Sequence, residues 1–477
     1  MIIEAAHALT ADGRVIRDVG IVVEDGTITA IEPLAALPAG GERLGGVTTM
    51  VLPGLVNAHQ HGVPHGLPSV GLPDGPLEPW MVTLLATPAV DPYLAARRTA
   101  AQQLRSGTTT TVHVQTGFAS SAQDYDEEVR AQLQGYADAG MRVAYAVDLK
   151  DRGEPVLLED RFFLTLPGPL RDKAQELRVR LPPFEELQDV IVGILADVRS
   201  GRYGDAVLLL GPSGPVWCSD ELFRDIAAFV QTHGIGVTSH VLESPYEKAF
   251  GPLAYDGAET VPALDGLGVL GPGFLLAHGC QLTRADADLL ATRGASVVTN
   301  PGSNLRLHNG VAPVTMLLDA GVNVAVGTDS TSIGDRDDLL DELRLLRALQ
   351  RRKGAREGAI PPATLARMAT VNGARAIGRP DLGALAVGCP ADLLLVDLER
   401  VVAPGLHPDP LAALLGTAHP QDIDLVLSSG KVVVRTGEPV VPAQLVPRQP
   451  ASAERLELIE DLMPYVLDYY AAIPIEV

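Results

Sequence analysis

Cysteine is scarce in this chain of 477 residues: Cys218, Cys280 and Cys389 are the only three, far apart and without a Cys-x-x-Cys pair. That argues against a disulfide framework and fits a reducing cytoplasm. Aromatic residues make up 4%, and tryptophan occurs only at Trp80 and Trp217. Positive charge is also short, with 37 basic against 59 acidic side chains and a net charge of −22. Such a surface repels phosphate backbones and anionic membranes, so the expected partner is a small molecule and not nucleic acid or a membrane. No apolar run reaches the ~18 residues that span a bilayer. The stretch MIIEAAHALTADGRV lacks the basic start and apolar core of a signal peptide. The expectation is a soluble, cytoplasmic protein.

What is present is an ordinary globular composition, 46% hydrophobic and 20% charged, in a chain long enough for a large domain and a smaller one. The first fifty residues read as β-structure, with Asp25-Gly26 marking a tight hairpin between two β-branched runs. Similar texture returns at 388–399 and 424–441, so residues 1–53 and 384–447 are expected to form one composite β-sandwich. Between them, 54–383 alternates short apolar strands with amphipathic helices. The strands fall at 54–59, 108–114, 142–148, 206–212, 236–240, 274–278, 296–300 and 323–329. Eight such units are the count for an α/β fold of the (β/α)8, TIM-like type. Segment 149–190 is too long for a plain connection and reads as an insertion over the barrel mouth. Residues 448–477 read as a C-terminal amphipathic helix whose apolar face packs on its own barrel or on a second subunit.

The chemistry begins at VLPGLVNAHQHG, where His59 and His61 stand one residue apart. On a strand such a pair shares a face, which is how two neutral imidazole nitrogens reach one metal ion. His240, His278 and Asp329 end three further expected strands. All would lie at the carboxyl ends of parallel strands, where barrel enzymes place their active sites. Catalytic zinc sites use a few His and carboxylate ligands and keep one position open. Glu243, three residues after His240, adds a carboxyl group that can collect and deliver a proton.

These pieces, together with GPSGPVWCSDEL, LLAHGCQLTRADADLL, GASVVTNPGSNLRLHNGVAPVTMLLDAGVNVAVGTDS and VGCPADLLLVD, run through the chain in one order. They resemble the amidohydrolase superfamily, in the branch of triazine chlorohydrolases and of guanine, S-adenosylhomocysteine and 8-oxoguanine deaminases. The resemblance implies one divalent metal ion, Zn2+ with Fe2+ as the alternative, held by His59, His61, His240 and Asp329. It implies that His278 polarises water or substrate, that Glu243 shuttles a proton, that Asp329 is also a base, and that the protein is a homodimer. A second metal is disfavoured, because the fourth strand ends in LLLGPSG and offers no bridging lysine or acid. The chain departs from the deaminase pattern at Ser330, at Asn300-Pro301 and in Gly-Cys-Gln after His278, positions that line or support the pocket.

Other residues are open. His65 is either a solvent-facing loop residue or a substrate contact, and His308 lies in a loop that could reach the pocket. His113 alternates with valines in TTTTVHV and is either a pocket residue or a core histidine. Trp217 follows the fourth strand, as an aromatic wall or a packing residue. Asn304, in the Ser303-Asn304 step that matches the family's pattern, is either a structural residue supporting the site or a substrate contact. The expected activity is hydrolytic deamination of an aminated heterocycle by metal-activated water. The alternatives on the same site are hydrolysis of an amide (cyclic, linear or in a modified peptide) and of a carbon–chlorine or carbon–alkylamine bond. A scaffold that has lost its metal is the reading from another class, and the intact ligand set argues against it.

Overall fold

The Asp25-Gly26 step turns with φ of 48° and 79°, left-handed values that a two-residue hairpin requires. It joins β2 (Val15–Glu24) to β3 (Thr27–Pro33), which lie beside β1 (Ile2–Leu9) and β4 (Arg43–Pro53). The computed structural model describes all residues except 39, 64–67, 69–73, 88–89, 118, 153–155, 158, 178–180, 256, 330–336, 351–359, 403–408, 443–452 and 476–477. From the far end of the chain come β13 (Leu393–Asp397), β14 (Ile423–Ser428), β15 (Lys431–Arg435) and β16 (Glu438–Pro439). The composite β layer is one eight-stranded mixed sheet in the order β16-β15-β14-β13-β4-β1-β2-β3. The two termini join where β4 pairs antiparallel with β13, over a core that includes Ile3, Ile21, Ile28, Leu393 and Leu427.

The barrel strands are β5 (Leu55–Gln60), β6 (Thr108–Val114), β7 (Arg142–Leu149), β8 (Val207–Pro212), β9 (Gly236–Val241), β10 (Phe274–His278), β11 (Ser296–Thr299) and β12 (Asn323–Val326). All eight are parallel and neighbour one another in chain order. Every second residue points inward, so Val56, Ala58, Val112, Val114, Ala144, Ala146, Leu209 and Ala277 fill the interior. The helix Asp220–His233 ends on Gly234 at φ 62°, as its sequence suggests. β12 is shorter than expected, because the chain leaves the sheet before Asp329. There a Cβ on Gly327 would lie 2.7 Å from the His59 carbonyl oxygen, so only glycine permits the approach. The barrel closes at that seam: Asp329 N donates to His59 O (2.9 Å) and His61 N to Asp329 O (2.7 Å).

Arg142 ties barrel to sheet. Its guanidinium donates to Asp392, both side chains being 3% exposed, and to Thr110 (3.2 Å), Asp205 (3.0 Å) and Ser429 (3.0 Å). Breaking such a pair from one side leaves a buried charge alone, which costs about 3–5 kcal/mol. Arg142→Ala should therefore lower the unfolding free energy by that amount, read as a lower urea midpoint with an unchanged slope. A loss below about 1 kcal/mol would show that the pair does not hold the two layers together.

Segment 149–190 forms the helices Glu159–Thr165 and Gly168–Ala174, but its last residues open the helix Phe184–Arg199, which packs on the barrel like its neighbours. The insertion covers less sequence than expected, because a charge-rich stretch does not mark where the next amphipathic helix starts. The C-terminal helix Ala453–Ala471 lies on this insertion. Phe162, Phe163, Leu166, Leu462, Val466 and Tyr470 share one apolar cluster with Val82 and Phe250. Tyr470 Oη accepts from Leu157 N (3.0 Å), and Tyr469 Oη donates to Leu157 O (3.1 Å). Within the chain, the surface that covers the apolar face of the C-terminal helix is this insertion together with the helix Leu77–Leu84. No helix among the described residues is long and apolar enough to cross a membrane.

Candidate metal centre and active site

Strand irregularity aims the first two histidines. Asn57 pairs with Thr111 and Gln60 with His113, so Ala58 and His59 together face the single Val112. This extra residue is a β-bulge, which re-aims side chains at barrel rims. His61 Nδ1 lies 3.1 Å from Val114 O and 3.2 Å from Thr116 Oγ1, and His240 Nδ1 lies 2.7 Å from Ser213 O. A ring nitrogen beside a carbonyl carries the proton, which leaves each Nε2 with its lone pair. Those two Nε2 atoms are 3.1 Å apart, an arrangement that needs a cation beside them.

The remaining groups converge on the same point. The His59 ring centroid lies 5.0 Å from His61, 5.0 Å from His240 and 5.2 Å from His278. Asp329 Oδ1 is 3.4 Å from Nε2 of both His59 and His61, and its Oδ2 accepts from Ser303 Oγ. Neither nitrogen of the buried His59 has a hydrogen-bond partner among the described residues. Ligand atoms of His59, His61 and Asp329 lie within 4.8 Å of one another, as do those of His59, His240 and His278. Orphaned imidazole nitrogens with one carboxylate are a donor set that suits a divalent cation such as zinc.

Electrostatics agree. Burial pushes the His59 imidazole down to about 4 and lowers His61 and His240, so the rings are neutral and able to ligate. Burial works against the charge on Asp329, yet the His59 imidazole 3.4 Å away, with His278 and His61 near by, outweighs it and holds the carboxyl well below its usual range. Glu243 goes the other way. Burial raises it well above the usual range and the charges of Asp329 and Glu78 add to this, with a hydrogen bond from Asn309 opposing. Leu242, His278 and Asp329 adopt φ of 52°, 70° and 63°, values rare outside glycine that concentrate at functional sites.

His278 sits beside Glu243, Nδ1 to Oε1 at 3.5 Å. Its Nδ1 is 2.8 Å from Asn304 Oδ1, and Asn300 Nδ2 lies 3.3 Å from the same nitrogen. Asn304 therefore holds His278 instead of facing outward as a substrate contact. For His113 the structure selects the core histidine of the two readings. Val112 and Val114 occupy the inward positions, so His113 faces out of the barrel, with Nδ1 2.9 Å from Tyr136 Oη and its ring stacked on Tyr145 at 4.8 Å. Neighbouring Gln60 donates to the same Tyr136 hydroxyl (2.9 Å). His308 is exposed at φ 59°, and the adjacent Asn309 is the residue that turns inward. Trp217 is half-buried in the cap cluster, near the His240 backbone across Gly214. His65 and Ser330 lie outside the described residues.

A model of the Amidohydrolase family matches residues 50–433. The chain belongs to the amidohydrolase family. This amidohydrolase is 28% identical over 446 residues to the 5-methylthioadenosine/S-adenosylhomocysteine deaminase of Pelotomaculum thermopropionicum, covering 91% of this chain and 93% of that one. Its fold matches an adenosine deaminase from Xanthomonas campestris solved with bound zinc, with TM-score 0.76, 25% identity and 98% of each chain covered. The triazine hydrolase of Arthrobacter aurescens shares the fold, with TM-score 0.80, 24% identity and 99% of each chain covered. Two groups in the amidohydrolase site escaped the sequence reading. Asn309 donates Nδ2–H to Glu243 Oε1 (2.8 Å), and Glu78 accepts from Ser244 Oγ. Neither follows a spacing rule, because each contact spans more than sixty residues of chain.

Proposed function

We propose that this amidohydrolase is a metal-dependent aminohydrolase that replaces the amino group of an adenine-type base, carried on a 5′-substituted ribose, with oxygen and releases ammonia. Glu243 carries the reading: its carboxyl group stands beside His278, three residues past His240, with Oε1 held by Asn309. The names of the relatives point to the same class of base.

His59, His61, His240 and Asp329 would hold one divalent ion, zinc in preference to iron. When bound it supplies the Lewis acidity that makes water a nucleophile at neutral pH. Asp329 Oδ2, steadied by Ser303 Oγ, takes the proton from the attacking water and returns it to the leaving amine. Glu243 Oε2 gives a proton to the ring nitrogen beside the amino-bearing carbon as that carbon becomes tetrahedral, and regains one from the added hydroxyl as the carbonyl forms and ammonia leaves. His278 donates Nδ1–H to Asn304, which leaves Nε2 to orient the attacking water. The insertion, the helix Leu77–Leu84 and the C-terminal helix share one apolar cluster, and Glu78 of the helix Leu77–Leu84 accepts from Ser244, the residue after Glu243.

We further propose a cytoplasmic homodimer, on the widely spaced cysteines and the family resemblance; light scattering tests the dimer. The activity is tested by ammonia release from the zinc-loaded protein. The panel comprises adenosine, 5′-methylthioadenosine, S-adenosylhomocysteine, amino-pyrimidines and amino-triazines. Release from the adenosine group with an inosine-type product is the expected result. Release from the pyrimidines or triazines alone would move the substrate class, and silence across the panel would favour an amide or carbon–halogen bond.

A further inference from the structure

One buried contact beside the reacting groups has no role in the scheme above. Asn309 is 1% exposed and locked from three sides. Its N–H donates to Asn304 O (2.8 Å), its carbonyl accepts from Gln281 Nε2 (2.8 Å), and its side-chain amide donates to Glu243 Oε1 (2.8 Å). The left-handed His308 before it sends one side chain to solvent and the next into the site. On the other flank, the Glu243 backbone is pinned by Glu247, whose Oε2 accepts from Glu243 N at 2.7 Å. Among the described residues, Asn309 makes the only hydrogen bond to the Glu243 carboxyl group.

We infer that Asn309 is a positioning residue for proton transfer: it fixes the plane of the Glu243 carboxyl group and reserves Oε2 as the oxygen that carries the proton. The inference rests on the aminohydrolase reading. The chemistry of the amide is the reason. Its Nδ2 has hydrogens and no lone pair, so it can only donate. A proton on Glu243 Oε1 would point O–H against N–H, whereas a proton on Oε2 leaves that contact intact in both states of the shuttle. The helix Pro301–Arg306 and the turn that follows it grip His278 through Asn304 and Glu243 through Asn309. The two groups that must act on one face of the substrate are thereby held at a constant separation. A carboxyl free to rotate would spend much of its time with the proton aimed elsewhere, and misplacement of that order costs about 100-fold in rate.

Asn309→Ala in the zinc-loaded enzyme should lower kcat about 10- to 100-fold, with KM within about 2-fold and metal content unchanged. Asn309→Ser, which keeps a short donor, should recover part of that loss. In a Glu243→Gln background Asn309→Ala should cost nothing further, because there is no shuttled proton left to place. A readout independent of turnover is the carboxyl-carbon NMR resonance of Glu243, identified by its absence in Glu243→Gln. It should move in Asn309→Ala. An unchanged kcat, a loss of the same size in both backgrounds, or an unmoved resonance would each overturn the inference. Should the unsubstituted enzyme release no ammonia, the aminohydrolase reading fails separately, and the resonance alone decides whether Asn309 orients Glu243.

Discussion

Glu243→Gln should leave the protein folded and metal-loaded while lowering kcat by about 100- to 10,000-fold, the range in which a positioned general acid contributes. Glutamine keeps the shape of the side chain and an oxygen to accept from Asn309, but it has no transferable proton. KM should change little, since the substitution removes an interaction made as the base is protonated in the transition state. Steady-state kinetics beside metal analysis reads both quantities. A fall in kcat of less than about threefold, with metal retained, would remove Glu243 from the mechanism. It would also take away the main ground for preferring deamination to other hydrolyses.

Removing the metal should also have a large effect. Stripping the protein with a chelator is expected to leave less than about 1% of the activity, restored by about one equivalent of zinc per chain. That follows from a single site that serves both binding and activation of water. It should also lower Tm, because a ligand at about 1,000 times its Kd stabilises the folded state by about 4 kcal/mol. In the metal-free site the lone pairs of His61 and His240 oppose each other at 3.1 Å, which adds to the loss. His240→Ala should reproduce the inactivity and resist rescue by zinc. Full activity after exhaustive chelation, verified by metal analysis, would contradict the assignment of this cluster.

The parts of this account that were legible in the sequence are those governed by local periodicity. His59 and His61 could be paired because a two-residue repeat puts them on one face, but the repeat does not reveal the bulge that turns them inward or the end of β12 before Asp329. The alternation of strands and helices likewise points to the barrel. His113 shows where this stops. Strands of a parallel barrel are buried on both faces, so valines on either side of a histidine do not say which face is the interior. The C-terminal helix displays an apolar face, but periodicity does not name the surface that covers it, which is the helical insertion. Asn309 and Glu78 were invisible for another reason. Their roles come from contacts across sixty and more residues, and asparagine in a loop usually marks nothing but a turn.

The most direct test of the central claim is the reaction of the zinc-loaded protein with 5′-methylthioadenosine or S-adenosylhomocysteine in water enriched in heavy oxygen. Product mass and ammonia are measured together. The account predicts ammonia in equal amount to product, a single heavy oxygen at the former amino-bearing carbon, and loss of both signals on removal of zinc. An unlabelled product, or labelled product formed equally well without metal, would contradict metal-dependent hydrolytic deamination at this site.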